Sequence, residues 1–220
     1  SYEVMQRDLI GLKERYPFLE IGSLGKSHLG KEIYYIRLGE GPVNLSYNAS
    51  HHAREWFTSP LVMKFAEEYS DAFENKTEID GYNVNNLWNS TSLYIIPMVN
   101  PDGVNLAVNG LMGDESYFEQ ILEMNYGKWY TKNWKANIKG VDLNRNYDVG
   151  WEVVKTIAEE EGYNQPGTKM YMGESPESEP ETKALVKFTR EKNLKLAIAY
   201  HTQGQVIYGD YRGYMPKEGE

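Results

Sequence analysis

The chain has 220 residues, of which 40% are hydrophobic, with no cysteine and a formal net charge of −9. This length and apolar content suit one large packed domain and exclude a disordered chain; the lack of cysteine excludes disulfides, thiolate catalysis and cysteine-ligated zinc. No run of about 18 apolar residues exists to span a membrane, and the acidic balance argues against DNA or an anionic membrane as the main partner. No basic segment followed by an apolar run opens the chain, so no signal peptide is expected.

In chain order, Met5, Leu9 and Leu12 recur at helical spacing over residues 2–16, stopped by Pro17. Residues 33–38 and 43–46 read as strands separated by the turn Gly39-Glu40-Gly41-Pro42. Thr58 or Ser59, followed by Pro60, opens a helix through Leu61, Phe65 and Tyr69. Residues 93–99 form a short β-branched run suited to a buried strand. Residues 105–139 are rich in Asn, Gly and aromatics and are expected to be irregular, and Asn100-Pro101-Asp102-Gly103 reads as a turn. Residues 177–192 predict a helix with Leu185, Phe188 and Thr189 on one face; residues 194–200 predict a strand ending at His201. Strands alternating with helices indicate an α/β sandwich.

Any metal site must draw on carboxylates and on four histidines: His28, His51, His52 and His201. In His51-His52-Ala53-Arg54-Glu55-Trp56, a His and a Glu three apart follow a strand and precede a helix. They can converge on one ion if the turn is tight, and zinc accepts both donors. Taken alone the pair is weak, since His-x-x-Glu arises often by chance. His201 strengthens it, because it too lies at a strand end, where sites gather in open α/β sheets; its bland alternative is a satisfied core or surface histidine. His28, in a Gly-flanked turn, and His51, expected to point away from its neighbour, fit the bland reading better. Gly140-Val141-Asp142-Leu143-Asn144-Arg145-Asn146-Tyr147 suits neither helix nor strand. An Arg among Asn amides suits bidentate binding of a carboxylate, the alternative being a surface turn with an ion pair. Gly22 to Ser27 ends like a phosphate loop, but its first glycine position holds Glu20. A helix-borne His-Glu-x-x-His and a Gly-x-Ser-x-Gly elbow are both absent.

His52-Ala53-Arg54-Glu55-Trp56, Asn100 to Gly103, Gly140 to Tyr147 and Ala199-Tyr200-His201 together resemble the zinc carboxypeptidase superfamily in order and spacing along nearly the whole chain. Within it, three features resemble bacterial γ-D-glutamyl-L-diamino acid endopeptidases, which cut peptidoglycan stem peptides. These are the doubled His51-His52, Trp134-Lys135-Ala136-Asn137, and His201-Thr202-Gln203-Gly204-Gln205-Val206-Ile207-Tyr208. The resemblance implies a three-layer α/β/α sandwich with a mixed, mostly parallel sheet. It implies zinc held by His52, Glu55 and His201, with Asp142 orienting the first zinc histidine. Asn144 and Arg145 are then expected to hold a substrate carboxylate, and Arg54 to line the site. Lys135 stands after Trp134 where the family carries an oxyanion-stabilising Arg. A lysine there is a point charge without the guanidinium fork.

The resemblance further implies metal-assisted hydrolysis of a peptide or muropeptide. The family's general-base glutamate lies roughly 70 residues beyond the third ligand, and this sequence ends about 20 residues after His201. Residues 1–220 are therefore expected to be a C-terminally incomplete catalytic domain that binds zinc and hydrolyses poorly, with the remainder of the same protein as a partner. The alternatives are a metallocarboxypeptidase and a catalytically silent, zinc-containing peptidoglycan-binding domain. The cellular address stays open between the bacterial cell wall or exterior and the cytoplasm.

Overall fold

The computed structural model describes residues 1–111 and 115–209. Five strands form one sheet in the order β1 (Glu20–Lys26), β2 (Glu32–Leu38), β6 (Thr91–Ile96), β3 (Val43–Ala49), β7 (Leu196–Tyr200). β1 pairs antiparallel with β2, and β2 antiparallel with β6; β6–β3 and β3–β7 are parallel. Four of the five strands therefore run one way and β2 opposes them, which is the mixed, mostly parallel sheet expected. A two-residue hairpin, β4 (Glu78–Ile79) and β5 (Tyr82–Asn83), stands apart.

Alternation along the strands splits the core into two layers. Leu93 and Ile95 of β6, with Ile36 and Leu38 of β2, face α1 (Tyr2–Arg15), α2 (Thr58–Asn75) and α3 (Val84–Ser90), meeting Met5, Leu9, Val62, Ala66 and Trp88. Tyr94 and Ile96, with Ile33, face α7 (Pro180–Glu191), meeting Ala184, Leu185 and Phe188. Helices thus cover both faces. β7 differs: it forms the sheet's edge among the described residues, and Leu196 and Ile198 stay 51% and 37% exposed.

Two expectations need correction. Asn100 to Gly103 is the start of a helix, α4 (Pro101–Asn109): the Asn100 side chain accepts the Gly103 N–H at 3.0 Å and Pro101 occupies the first turn. Turn chemistry and N-cap chemistry use the same residues, and here the apolar stripe Val104, Leu106 and Ala107 decides for the helix. The stretch 105–139 is likewise not irregular throughout, because α4 continues to Asn109 and α5 (Glu115–Met124) follows; its residues 112–114 lie outside the described set. β1 and α6 (Trp151–Glu160) are further elements that the sequence pattern did not disclose. Among the described residues no helix is long and apolar enough to cross a membrane.

Candidate metal centre at the ends of β3 and β7

Strand register builds this site. β3 and β7 pair in parallel with Ala49 opposite Tyr200, so the residues just past the two strand ends, Ser50 and His201, emerge side by side. Ser50 takes a positive φ of 56°, and the chain turns into a short 3-10 segment, Ala53–Glu55, with His52 at its start. A 3-10 turn has three residues per turn, which places residues 52 and 55 over one another. Thr58 fixes the turn: its hydroxyl donates to the Glu55 carbonyl at 2.9 Å and accepts the Ser50 N–H at 2.9 Å.

Donor atoms of three residues meet as a result. His52 Nδ1 lies 3.0 Å from Glu55 Oε1, His201 Nδ1 lies 2.8 Å from Glu55 Oε2, and the two Nδ1 atoms are 3.2 Å apart. Protons on both imidazole nitrogens at this distance would repel each other, so one shared positive centre suits them both. Tetrahedral zinc with bonds of about 2.0–2.2 Å holds its ligand atoms roughly 3.3–3.6 Å apart, close to the size of this triangle. The residues present therefore fit a zinc ion. Three protein donors leave a position open, as catalytic rather than structural zinc sites do.

The other nitrogen of the His52 ring is taken: Nε2 lies 3.1 Å from Asp142 Oδ1, and Asp142 Oδ2 accepts the Met170 N–H at 3.1 Å. His52, Glu55 and Asp142 are all buried. Burial works against the ionised forms of Glu55 and Asp142. Hydrogen bonds from His201 and His52 outweigh it at Glu55, and those from His52 and Met170 outweigh it at Asp142, so both carboxyls sit below the usual range. Burial also opposes a charge on His52, yet hydrogen bonds to Asp142 and Glu55 hold its pKa above the ordinary value. The pocket is thus built for positive charge.

Asp142 is placed by the segment before it. Asn137 folds the turn, accepting the N–H groups of Lys139 and Val141 on its side-chain oxygen, both at 3.0 Å. Trp134 is buried, and its indole donates to the Asn137 carbonyl at 3.0 Å. The same segment lies against the metal turn: the Ala53 and Arg54 N–H groups donate to the carbonyls of Lys135 (3.1 Å) and Trp134 (2.9 Å). Lys135 thus stands beside Ala53, the residue after His52, along the backbone. Arg54 reaches across to Gln203, donating from Nη2 to its Oε1 at 2.9 Å. Leu143–Arg145 form a second 3-10 turn directly after Asp142, which leaves Asn144 exposed and Arg145 half-buried. Arg145 is close enough to help hold down the pKa of Asp142. His51 points elsewhere, to the Tyr147 hydroxyl at 2.7 Å, and burial pushes its pKa down to about 3.

Sequence reasoning missed the Met170 amide behind Asp142, the Gln203 partner of Arg54 and the Tyr147 partner of His51. No motif marks a backbone amide 28 residues away, and the other two are pairings across loops. It also set His28 aside, whose ring nitrogen lies 2.7 Å from Glu179 Oε2.

Comparison with known proteins agrees with this geometry. The zinc carboxypeptidase family model matches residues 5–217. The chain is 38% identical over 220 residues to γ-D-glutamyl-L-diamino acid endopeptidase 1 of Lysinibacillus sphaericus, covering all of this chain and 54% of that protein. It is 33% identical over 219 residues to the uncharacterized protein YqgT of Bacillus subtilis, covering 97% of this chain and 56% of that protein. The chain thus spans about half the length of these curated relatives. Among solved structures, thrombin-activatable fibrinolysis inhibitor superposes over 93% of this chain and 47% of its own with a TM-score of 0.69, at 22% identity, a likeness of fold. With the family model spanning nearly every residue and the zinc-fitting donors at the strand ends, the chain belongs to the zinc carboxypeptidase family.

Proposed function

We propose that this chain carries the metal-binding and carboxylate-binding half of a zinc peptidase that hydrolyses γ-D-glutamyl-diamino acid bonds of peptidoglycan stem peptides. The convergence of His52 Nδ1, Glu55 and His201 Nδ1 around one point, with Asp142 behind His52, carries the reading. The 38% identity to the Lysinibacillus sphaericus endopeptidase supports the choice of bond.

In this reading His52, Glu55 and His201 hold zinc, which when bound supplies Lewis acidity toward a peptide carbonyl and toward water. Asp142 accepts the His52 Nε2 proton and so presents Nδ1 as a lone pair. Asn144 and the Arg145 guanidinium bind a substrate carboxylate, with the fork of the Arg setting its orientation. Arg54 lines the approach, and Lys135 supplies positive charge near the developing oxyanion. With zinc bound, Glu55 is a metal ligand, and both oxygens of Asp142 are engaged by His52 and Met170. Neither is free to take a proton from attacking water, and the family resemblance assigns the general base to further residues of the whole protein. Residues 1–220 then act as one catalytic domain together with that remainder.

The test is product analysis on the full-length protein and on the 220-residue chain, both loaded with zinc. Expected is cleavage between D-glutamate and diaminopimelate by the former and no measurable turnover by the latter. Release of single C-terminal residues from ordinary peptides by the full-length protein would establish a carboxypeptidase instead. Muropeptide binding without cleavage by the full-length protein would establish a silent binding domain. Turnover by the 220-residue chain would overturn the assignment of the general base.

A further inference from the structure

A second set of donors lies apart from the first and shares no residue with it. The turn between β1 and β2 carries His28, and the start of α7 carries Glu179, at its N-cap, and Glu181 in its first turn. One nitrogen of His28 and one oxygen from each glutamate lie within 4.8 Å of one another. His28 Nε2 and Glu179 Oε2 are 2.7 Å apart. Asn137, which folds the turn before Asp142, donates to Glu179 Oε2 at 2.7 Å. Ser178 donates to Glu179 Oε1, also at 2.7 Å.

Charge at this place does not balance. Asp102, at the start of α4, is buried and answered by Lys31 at 2.9 Å and by the Leu29 N–H at 2.9 Å. Glu179 is answered by His28. Glu181 has 0% exposure; it accepts from its own backbone N–H and, over a distance of 3.4 Å each, from the His28 N–H and the Asn137 amide. That exceeds the ordinary N–H···O range of 2.7–3.2 Å. A fully buried carboxylate held only by neutral and mostly long hydrogen bonds is costly unless it is protonated or paired with a cation. Burial, against the opposing pull of His28, pushes its carboxyl up to about 7.

We propose that His28 Nε2, Glu179 and Glu181 form a second divalent-cation site, of zinc type. One neutral imidazole and two carboxylates carry a charge of −2 that a divalent ion cancels, and nitrogen with oxygen donors is a set zinc accepts. The ion takes the place of the Glu181 proton and of the His28–Glu179 hydrogen bond. The His28 side chain is 26% exposed, so solvent has an entry path and a water can complete the coordination. Through Asn137 the ion is tied to the turn that leads to Asp142, so it braces the loop behind the first site.

Zinc stoichiometry tests this directly. The chain is equilibrated with zinc buffered by a weak chelator, desalted, and assayed by plasma mass spectrometry. Two equivalents are expected in the wild type, one in Glu181→Gln, one in His201→Ala and none in the double variant. Two equivalents retained by Glu181→Gln, or a single wild-type equivalent that survives that substitution, overturns the proposal. A single equivalent that Glu181→Gln removes and His201→Ala keeps would leave this site standing and refute the first. Should Glu181→Gln lose its fold by circular dichroism, His28→Gln, on a partly exposed turn, decides by the same counts.

Discussion

Asp142→Asn is the most informative single change, because it alters a proton and almost no volume. In the native chain Asp142 accepts on both oxygens, from His52 Nε2 and from the Met170 N–H. An amide can accept on one side only. If its oxygen stays on His52, its NH2 faces the Met170 N–H, donor against donor, in a buried place. If it flips, its NH2 meets Nε2, which must then accept; the proton moves to Nδ1, the atom that faces His201 and Glu55. The second arrangement protonates the metal-binding nitrogen itself. Loss of such a partner costs about 10–100-fold in metal affinity, or about 1.4–2.7 kcal/mol. Competition with a chromophoric zinc chelator measures it, with circular dichroism confirming the fold. Zinc affinity within twofold of the wild type would refute the role given to Asp142 and the tautomer assigned to His52.

His201→Ala removes one corner of the donor triangle and should abolish zinc binding at that site, read as lost protection against chelator-sensitive thermal unfolding. Arg145→Lys keeps the charge but loses the fork; affinity for a peptide bearing a free carboxylate should fall about 10-fold by calorimetry, taking roughly 1.5 kcal/mol for a charge-assisted hydrogen bond. Trp134→Ala empties a site with 1% exposure and leaves the Asn137 carbonyl with the Gly140 N–H as its remaining donor; urea unfolding should show a loss of about 3–5 kcal/mol. Gly140→Ala places a methyl at φ +77°, against Met124 and 2.7 Å from the Gly167 nitrogen, and should cost on the order of 2 kcal/mol in the same assay. Stability unchanged by Gly140→Ala would contradict the packing of that turn.

The α/β layering was legible because β6 carries an unbroken apolar run and α7 carries a helical period, and the candidate donors were legible because zinc chemistry without cysteine left only four histidines to consider. Other features were hidden for definite reasons. β1 contains Gly22 and Gly25 and little apolar alternation, so its strand character comes from pairing with β2 rather than from propensity. α4 was masked by Asn-Pro-Asp-Gly, whose residues open helices and turns alike. The Met170 amide on Asp142 is a backbone contact, and no side-chain pattern encodes it. Glu179 and Glu181 carry an exposed-looking composition, yet both are buried; Pro180 between them marks a helix start and gives no sign of where the two carboxylates point.

The register of β3 against β7 has a consequence for how the metal and the fold depend on each other. His52 and Glu55 are fixed by a local turn, but His201 hangs from a strand that has one hydrogen-bonded neighbour among the described residues. Fraying of β7 would carry off the third donor while leaving the first two in place. An ion spanning all three acts as a rivet between a sheet interior and its loosest margin, and by linkage the free energy of that rivet resists the opening of β7. Amide exchange in residues 196–200 should therefore slow when zinc is added, while β2 and β6 keep their own rates.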